Sequence, residues 1–221
     1  VAGHFLAEFV PKSDHPVISA AILQLTESHQ ASRIRTRITT QAGACWFELQ
    51  PLTYSNPQSS PEILVIGRDI STHKEAEERV HHMATHDALT NLPNRTLASD
   101  RIQAAIIESL RAESGFTLMA LDLDGFKKVN DALGYAAGDA LLCIAARRLR
   151  EALHNRGTGD TLARTGGNEF LVLLPGLIER EEIQLLARSM MSALQRPFEI
   201  NDRLIYVNAS VGAACYPQHG E

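Results

Sequence analysis

Residues 160–175, with the sequence DTLARTGGNEFLVLLP, place a pair of glycines between two apolar runs. Glycine tolerates positive φ, so Gly166 and Gly167 favour a tight turn between two antiparallel strands. Taken alone, the pattern predicts an ordinary β-hairpin. Such a turn can also bring backbone N–H groups close to phosphate, and Asn168 and Glu169 are the first polar side chains after it. The stretch therefore predicts antiparallel sheet and leaves two roles open, a plain turn or a phosphate and metal site.

A second constraint comes from residues 116–124, FTLMALDLD, which predict a buried strand that ends in Asp122 and Asp124. Carboxylates at a strand end are held on rigid backbone, and Mg²⁺ prefers oxygen ligands, commonly one or two carboxylates plus substrate phosphates. Together with the glycine turn, these carboxylates indicate a site for phosphoryl transfer with one or two metal ions. Each feature alone has a commoner explanation, since an Asp at a strand end is often a turn residue and Asp139 is often a helix cap.

The apolar spacing from residue 87 onward predicts the order helix, strand, helix, helix, strand, strand, helix, strand. The helix after the glycine-rich GYAAG would begin with Asp139 as its N-cap and would bury Cys143 on its apolar face. The predicted helices span residues 96–113, 125–133, 138–153 and 180–197, and the last strand spans residues 203–215.

The first part of the chain predicts a small α+β domain. Residues 15–30 carry apolar side chains at helical spacing. Three strand-like segments follow, at residues 33–40, 45–54 and 62–70, and in the first of them arginines alternate with less polar residues. A helix followed by three consecutive strands joined by turns indicates an antiparallel sheet.

Residues 71–86 are charged, contain few apolar side chains and predict a linker helix. Ser71 or Thr72 is the predicted cap, with Glu75 as its capping-box partner. The helix is either a solvated connector or a short coiled coil that pairs two chains.

The histidines and cysteines, which are the candidate ligands for zinc, are scattered along the chain. His82 and His86 lie four residues apart, a spacing that can bind zinc, but no Glu stands at the needed position and no further ligand is near, so a polar helix face is favoured. The three cysteines are odd in number and widely spaced, which fits reduced thiols in a cytosolic protein.

Composition excludes several classes. The net charge of −5 argues against a general nucleic-acid binder. No apolar run approaches the roughly 18 residues needed to span a bilayer, and no basic-then-apolar signal segment begins the chain. The sequence therefore predicts a cytoplasmic protein without a membrane segment.

Three motifs in order carry a family resemblance: DALTNLPNR at 87–95, DLDGFKKVNDALGYAAGD at 122–139 and ARTGGNEF at 163–170. They resemble the GGDEF, or diguanylate cyclase, family, and NASVGAACYP at 208–217 resembles its later strand. More weakly, residues 1–70 resemble the C-terminal part of a PAS sensor domain, because GRDIST followed by HKEAEERV is similar to a PAS exit into a signalling helix.

The resemblance implies an α+β chain in three parts: a truncated PAS-like antiparallel sheet over residues 1–70, a linker helix over 71–86 and a GGDEF-type α/β domain over 87–221. The last part would have a palm-like central sheet with flanking helices, and we expect it to continue past residue 221. The family condenses two GTP molecules into cyclic di-GMP and pyrophosphate, with Mg²⁺ or Mn²⁺. Each subunit holds one GTP, so the resemblance implies a homodimer of facing subunits.

The resemblance also implies roles for individual residues. Asp122 through its carboxylate, Leu123 through its carbonyl and position 168 would bind the metal, and position 168 would also act as the base. Glu169 would be the second acid of the motif. The remaining roles are charge stabilisation by Lys127, guanine recognition by Asn130 and Asp139, a substrate contact at position 135, and a turn over the phosphates at Gly166 and Gly167.

This sequence departs from the family pattern at several of those positions. Asn168 stands where Asp or Glu is expected, and an amide brings no negative charge and cannot act as a base near neutral pH. Glu169 would not replace it, since successive strand residues point to opposite faces. Tyr135 replaces a His. In the inhibitory Arg-x-x-Asp motif Asp160 is in place, but the Arg position is Gly157, with Arg156 one residue away.

Three functions remain open at this point. The chain is a diguanylate cyclase, active or weakened by its GGNEF turn and switched by the PAS part through the linker helix. Alternatively, it is a GTP-binding regulatory module that acts on a partner such as an EAL phosphodiesterase domain, with cyclic di-GMP as effector. The third possibility is a dimerisation and sensor scaffold, because fold does not guarantee activity.

Overall fold

The structure is a computed structural model. It describes residues 6–28, 32–40, 43–54, 62–153 and 159–220. The chain divides into two compact units, Val1–His81 and His82–Glu221, and the division falls within one helix. Among the described residues, no helix has both the length and the apolar character that a bilayer span requires.

The first unit contains one helix and a three-stranded antiparallel sheet in the order β1-β2-β3. Its elements are α1 (His15–Ser28), β1 (Ile34–Thr40), β2 (Gly43–Tyr54) and β3 (Glu62–Asp69). Alternation along β1 turns Ile34 inward, where it joins Val10, Ile18, Ala21 and Leu49 in a small core. The predicted helix and three strands are confirmed, and residues 55–61, which join the second predicted strand to the third, lie outside the described residues.

Helix α2 (Ser71–Thr85) buries none of its residues. A helix is therefore confirmed where it was predicted, and its role as a linker stays a prediction. Its start differs from the capping-box prediction, because the Ser71 hydroxyl accepts a hydrogen bond from the Trp46 backbone N–H at 2.9 Å, and Asp69 accepts one from the Ser71 N–H at 2.8 Å. The side chain that caps this end is thus Asp69, in the strand before the helix.

The second unit is built on a four-stranded antiparallel sheet in the order β5-β6-β4-β9, with a separate hairpin of β7 and β8. Its elements are α3 (Arg95–Ala112), β4 (Phe116–Asp124), α4 (Phe126–Leu133), α5 (Tyr135–Leu153), β5 (Thr161–Gly166), β6 (Glu169–Pro175), α6 (Arg180–Gln195), β7 (Phe198–Ile200), β8 (Arg203–Ile205) and β9 (Asn208–Tyr216). The apolar strand β4 lies inside this sheet, as its composition predicts, and pairs with β6 and β9.

Helix α5 supplies much of the core of the second unit. Leu141, Ala145 and Leu149 recur at helical spacing and are fully buried, in the same cluster as Met119 of β4 and Val172 of β6. Helix α5 also packs against α4 and α6, while α3 packs against β5 and β6. This packing holds the end of β4 and the start of α5 in fixed places.

Two predictions for α5 are wrong. The helix begins at Tyr135, so Asp139 lies within its second turn and is not the N-cap. The physical reason is that the Ala pair after Tyr135 continues the helix, and Gly134, with φ of 84°, is the residue that separates α4 from α5. Cys143 is exposed and not in the core, because it lies one turn after Asp139 on the same exposed face.

The prediction of one strand over residues 203–215 is also wrong. Strand β8 ends at Ile205 and β9 begins at Asn208, and β8 pairs with the unpredicted β7. Asn201 and Asp202 both have positive φ, of 51° and 59°, which is the backbone of a tight two-residue hairpin turn.

Candidate functional site

The turn between β5 and β6 folds against the end of β4. Glu169 pairs with Asp122 across the sheet, and the Leu123 backbone N–H donates to the Asn168 carbonyl oxygen at 3.2 Å. Gly166 and Gly167 have φ values of 145° and 53°, so both use backbone that favours glycine. The predicted hairpin is confirmed, and it lies beside Asp122. The carboxylate of Asp124 instead accepts a hydrogen bond from the Ser210 hydroxyl of β9 at 2.9 Å.

The Asn168 side chain lies between two of the predicted metal ligands. Its Nδ2 donates to Oδ1 of Asp122 at 2.7 Å and to the carbonyl oxygen of Leu123 at 2.9 Å. The structure thus brings the three predicted metal ligands together, and the side-chain amide of Asn168 donates hydrogen bonds to the other two.

Glu169 does not follow the argument made from strand alternation. Asn168 belongs to the turn, and Glu169 is the first residue of β6, directly opposite Asp122. Side chains at paired positions share one face of a sheet. Alternation therefore does not separate Glu169 from Asp122, and the statement that Glu169 does not replace Asn168 stays a prediction. The hydrogen bond described for Glu169 is a long one of 3.4 Å, from the Thr165 hydroxyl.

The predicted guanine-binding residues lie on the two adjacent helices α4 and α5. Asn130 on α4 packs against Gly138 on α5, and a Cβ at Gly138 would overlap with Asn130 Oδ1 and lie 2.9 Å from Cγ. Asn130 Oδ1 is buried and has no hydrogen-bond partner among the described residues. A buried acceptor without a partner costs free energy. Because this oxygen is packed against Gly138, a ligand with an N–H donor would recover that free energy once the amide group rotates toward it.

The other predicted substrate contacts are exposed. Lys127 and Asp139 lie on the surfaces of α4 and α5, and Tyr135, the first residue of α5, is 82% exposed. Within the described part of the chain, no hydrogen bond joins any of these three to Asp122 or Asn168. They remain predicted contacts for a ligand.

Two residues that the motif analysis did not single out hold the turn in place. Arg164 Nη1 donates to both carboxylate oxygens of Asp87, at 3.0 and 2.9 Å, and Arg164 Nε and Nη2 donate to the Gly167 carbonyl oxygen at 3.0 and 2.7 Å. Burial works against ionisation of Asp87, but hydrogen bonds from Thr90 and Arg164 outweigh it and hold the pKa of Asp87 below its usual value. Asp87 lies in the motif DALTNLPNR and Arg164 in ARTGGNEF, so the opposite charges of these two motifs could have indicated an ion pair.

The remaining candidates lie elsewhere in the chain. Asp160 lines a cavity of about 550 Å³ with Arg101 and Glu108, whereas the Arg positions at 156–157 lie outside the described residues. His82 Nε2 donates to Asn91 Oδ1 at 2.6 Å. Within the described ranges, no three His, Cys, Asp or Glu side chains form a group that could hold a metal ion.

Comparison with known proteins identifies the class. A family model described as diguanylate cyclase, GGDEF domain, matches residues 84–221, more than half of the chain. The chain therefore belongs to the GGDEF diguanylate cyclase family, whose members act in cyclic di-GMP signalling.

Individual relatives place the chain within this family. It is 39% identical to the bifunctional diguanylate cyclase/cyclic di-GMP phosphodiesterase MucR of Pseudomonas aeruginosa, over 66% of this chain and 21% of MucR. It is 31% identical to the cyclic di-GMP phosphodiesterase PdeR of Escherichia coli, over 96% of this chain and 34% of PdeR. The solved GGDEF domain of TpbB (YfiN) from P. aeruginosa matches with a TM-score of 0.57 and 34% identity, over 61% of this chain and 77% of that domain. The chain thus spans about a fifth to a third of the length of these two curated relatives.

GGDEF diguanylate cyclases generally use Mg²⁺ or Mn²⁺. The donor set of this chain fits such an ion poorly, because Asp122 Oδ1 and Leu123 O both face an N–H donor. A cation and an amide N–H₂ group compete for the same oxygen atoms, and position 168 contributes no charge.

Proposed function

We propose that the GGDEF domain of this chain binds GTP in a diguanylate cyclase-type site and converts it to cyclic di-GMP slowly or not at all. The observation that carries the proposal is the buried and unpartnered Asn130 Oδ1, with Gly138 leaving it room. Guanine presents N–H donors on its edge, and these suit an amide oxygen and the carboxylate of Asp139.

The slow turnover follows from Asn168. A general base contributes about 10²–10⁴-fold to a rate, and an amide cannot accept a proton near neutral pH. Loss of the negative charge at position 168 also removes electrostatic stabilisation from the place where phosphoryl transfer needs it.

Product formation would need two subunits. One domain holds one GTP, so cyclisation requires two sites that face each other, which a two-fold homodimer provides. In this proposal the first unit is the C-terminal part of a PAS sensor, and α2 is the helix through which it acts.

A second candidate function is regulation of a partner domain. It is favoured by the relatives, because MucR and PdeR are both named as phosphodiesterases and this chain spans only 21% and 34% of them. A domain that binds GTP without turning it over would then report GTP or cyclic di-GMP to a linked EAL-type phosphodiesterase.

Calorimetry of the full chain with GTP and ATP, paired with chromatographic detection of cyclic di-GMP, tests the proposal. We expect binding of GTP in preference to ATP and little product. Asn168→Asp should raise the rate by about 10²-fold or more if the regulatory function holds, since it restores a base, and only modestly if the native chain is already an active cyclase. If the chain binds no GTP under any condition, both the cyclase-type function and the regulatory function are refuted. The dimerisation and sensor scaffold is then the function that remains.

A further inference from the structure

The side-chain nitrogen of Asn168 lies within hydrogen-bond distance of two oxygen atoms at the end of β4. This Nδ2 donates to Asp122 Oδ1 and to Leu123 O, at 2.7 and 2.9 Å, and the Leu123 N–H returns a hydrogen bond to the Asn168 carbonyl. Three hydrogen bonds therefore attach residue 168 to the end of β4.

The amide nitrogen is suited to this position because it carries two hydrogens and no lone pair for metal binding. Each hydrogen satisfies one oxygen atom, which is what a cation at the same place would do for both. A carboxylate at position 168 could not donate to either oxygen and would stand beside the charge of Asp122. The turn would then pack against β4 only with a cation between the two carboxylates, which would otherwise repel each other.

We propose that the Asn168 amide is a built-in substitute for the divalent cation, so that this domain assembles its turn and takes a guanine nucleotide without binding a metal ion of its own. The inference rests on the proposed function in treating the site as a nucleotide site. It adds that metal dependence, and not only catalytic rate, is decided at position 168.

The opposite orientation of the amide makes the opposite prediction. With Oδ1 turned toward Asp122 Oδ1 and Leu123 O, three oxygen atoms would converge, and that arrangement is stable only around a cation. Metal binding by the native chain therefore separates the two orientations.

In the first test, the purified full chain is titrated with Mn²⁺ alone, and electron paramagnetic resonance measures how much Mn²⁺ is bound. The variants are Asn168→Asp and, as a matched control, Asn201→Asp, which makes the same charge change at an exposed turn. Asn168→Asp should bind one Mn²⁺ at least about tenfold more tightly than the native chain, since it adds an anionic oxygen ligand. The native chain and Asn201→Asp should behave alike. Tight Mn²⁺ binding by the native chain overturns the proposal.

The second test is thermal unfolding in EDTA and in excess Mg²⁺. The native chain should unfold at one temperature in both. Asn168→Asp should unfold about 2–8 °C lower in EDTA and recover in Mg²⁺, whereas Asn168→Ala should lose a similar amount in both, because it removes the hydrogen bonds without adding charge. An Mg²⁺-dependent rise for the native chain contradicts the proposal.

A measurement on the native chain, with Asn168→Ala used only to assign one signal, keeps the proposal testable if Asn168→Asp does not fold. The side-chain N–H₂ signal of Asn168, assigned by its loss in Asn168→Ala, should exchange slowly with water and should not broaden when Mn²⁺ is added. Fast exchange or strong broadening overturns the proposal. A native chain that binds no GTP, in Mg²⁺ or in EDTA, refutes the proposed function, whereas the Mn²⁺ titration still decides whether the amide replaces the cation.

Discussion

At the scale of single residues, the space beside Asn130 depends on the absence of one carbon atom. A methyl group on Gly138 would overlap with Asn130 Oδ1 and lie 3.2 Å from the ring of Phe126. Overpacking of this kind costs about 1–3 kcal/mol. The amide of Asn130 must then move, and with it the acceptor that we assign to guanine.

We therefore expect Gly138→Ala to weaken GTP binding by at least about tenfold and to lower the unfolding free energy by about 1–3 kcal/mol. Calorimetry and urea unfolding measure the two effects. The matched control is Gly212→Ala in β9, where a Cβ would meet no atom within 4 Å. Equal GTP affinity in Gly138→Ala and the native chain would remove Asn130 from the binding site.

The ion pair of Asp87 and Arg164 gives a pH dependence with a definite sign. The folded-state pKa of Asp87 is lowered, while its unfolded value is about 3.9. Its contribution to stability is therefore fully present above that unfolded value and is lost as the pH falls through the folded-state pKa.

Asp87→Asn should lower the unfolding free energy by about 1–3 kcal/mol at pH 7, because the guanidinium of Arg164 loses a charged partner. Urea unfolding from pH 7 to pH 3 measures this. The difference between variant and native chain should shrink as the pH approaches 3. A difference that stays constant over this range would show that the charge of Asp87 does not matter.

At the scale of elements, one side chain ends α2 and begins α3. Asn94 Oδ1 accepts from the Leu97 N–H at 3.1 Å as the N-cap of α3, and its Nδ2 donates to the Ala84 carbonyl oxygen at 2.8 Å. Its backbone N–H also donates to the Thr85 carbonyl oxygen at 2.9 Å. The end of α2 is thereby attached to the loop that carries Asp87.

Asn94→Ala should cost about 1–2 kcal/mol, since it removes the N-cap of α3 and leaves the Ala84 carbonyl oxygen without the side-chain donor. Asn94→Asp keeps the cap acceptor but cannot donate, so its loss should be smaller. Urea unfolding ranks the variants. If Asn94→Asp is as stable as the native chain, the bond to Ala84 contributes nothing.

The strand at residues 116–124 could be predicted because its apolar run extends over the whole element, and the hairpin because Gly166 and Gly167 stand between two apolar runs. Strand β7 could not, because three residues carry no period. The hydrogen bond from Asn168 to Asp122 joins residues 46 apart, and the pair of Asp87 and Arg164 joins residues 77 apart, so only the folded sheet brings them together.

At the scale of the whole molecule, the chain is two compact units, of which the second belongs to a family of cyclases. Our proposal of facing sites predicts how activity depends on concentration. Half-sites on separate subunits meet only in the dimer, whose population rises with protein concentration.

The rate of cyclic di-GMP formation per subunit by Asn168→Asp should therefore rise with protein concentration until the dimer saturates. Product assays over a hundredfold range of protein, with sedimentation at the same concentrations, measure this. A rate per subunit that is constant while sedimentation shows monomer would contradict the requirement for two facing subunits.

The amide bridge at the end of β4 also has a meaning for inheritance. Asparagine and aspartate codons differ only in their first base, so a single transition would exchange the uncharged bridge for a carboxylate. Under our proposal of slow turnover, a cell that gains from more cyclic di-GMP should favour this exchange at codon 168, provided that the rest of the pocket stays intact.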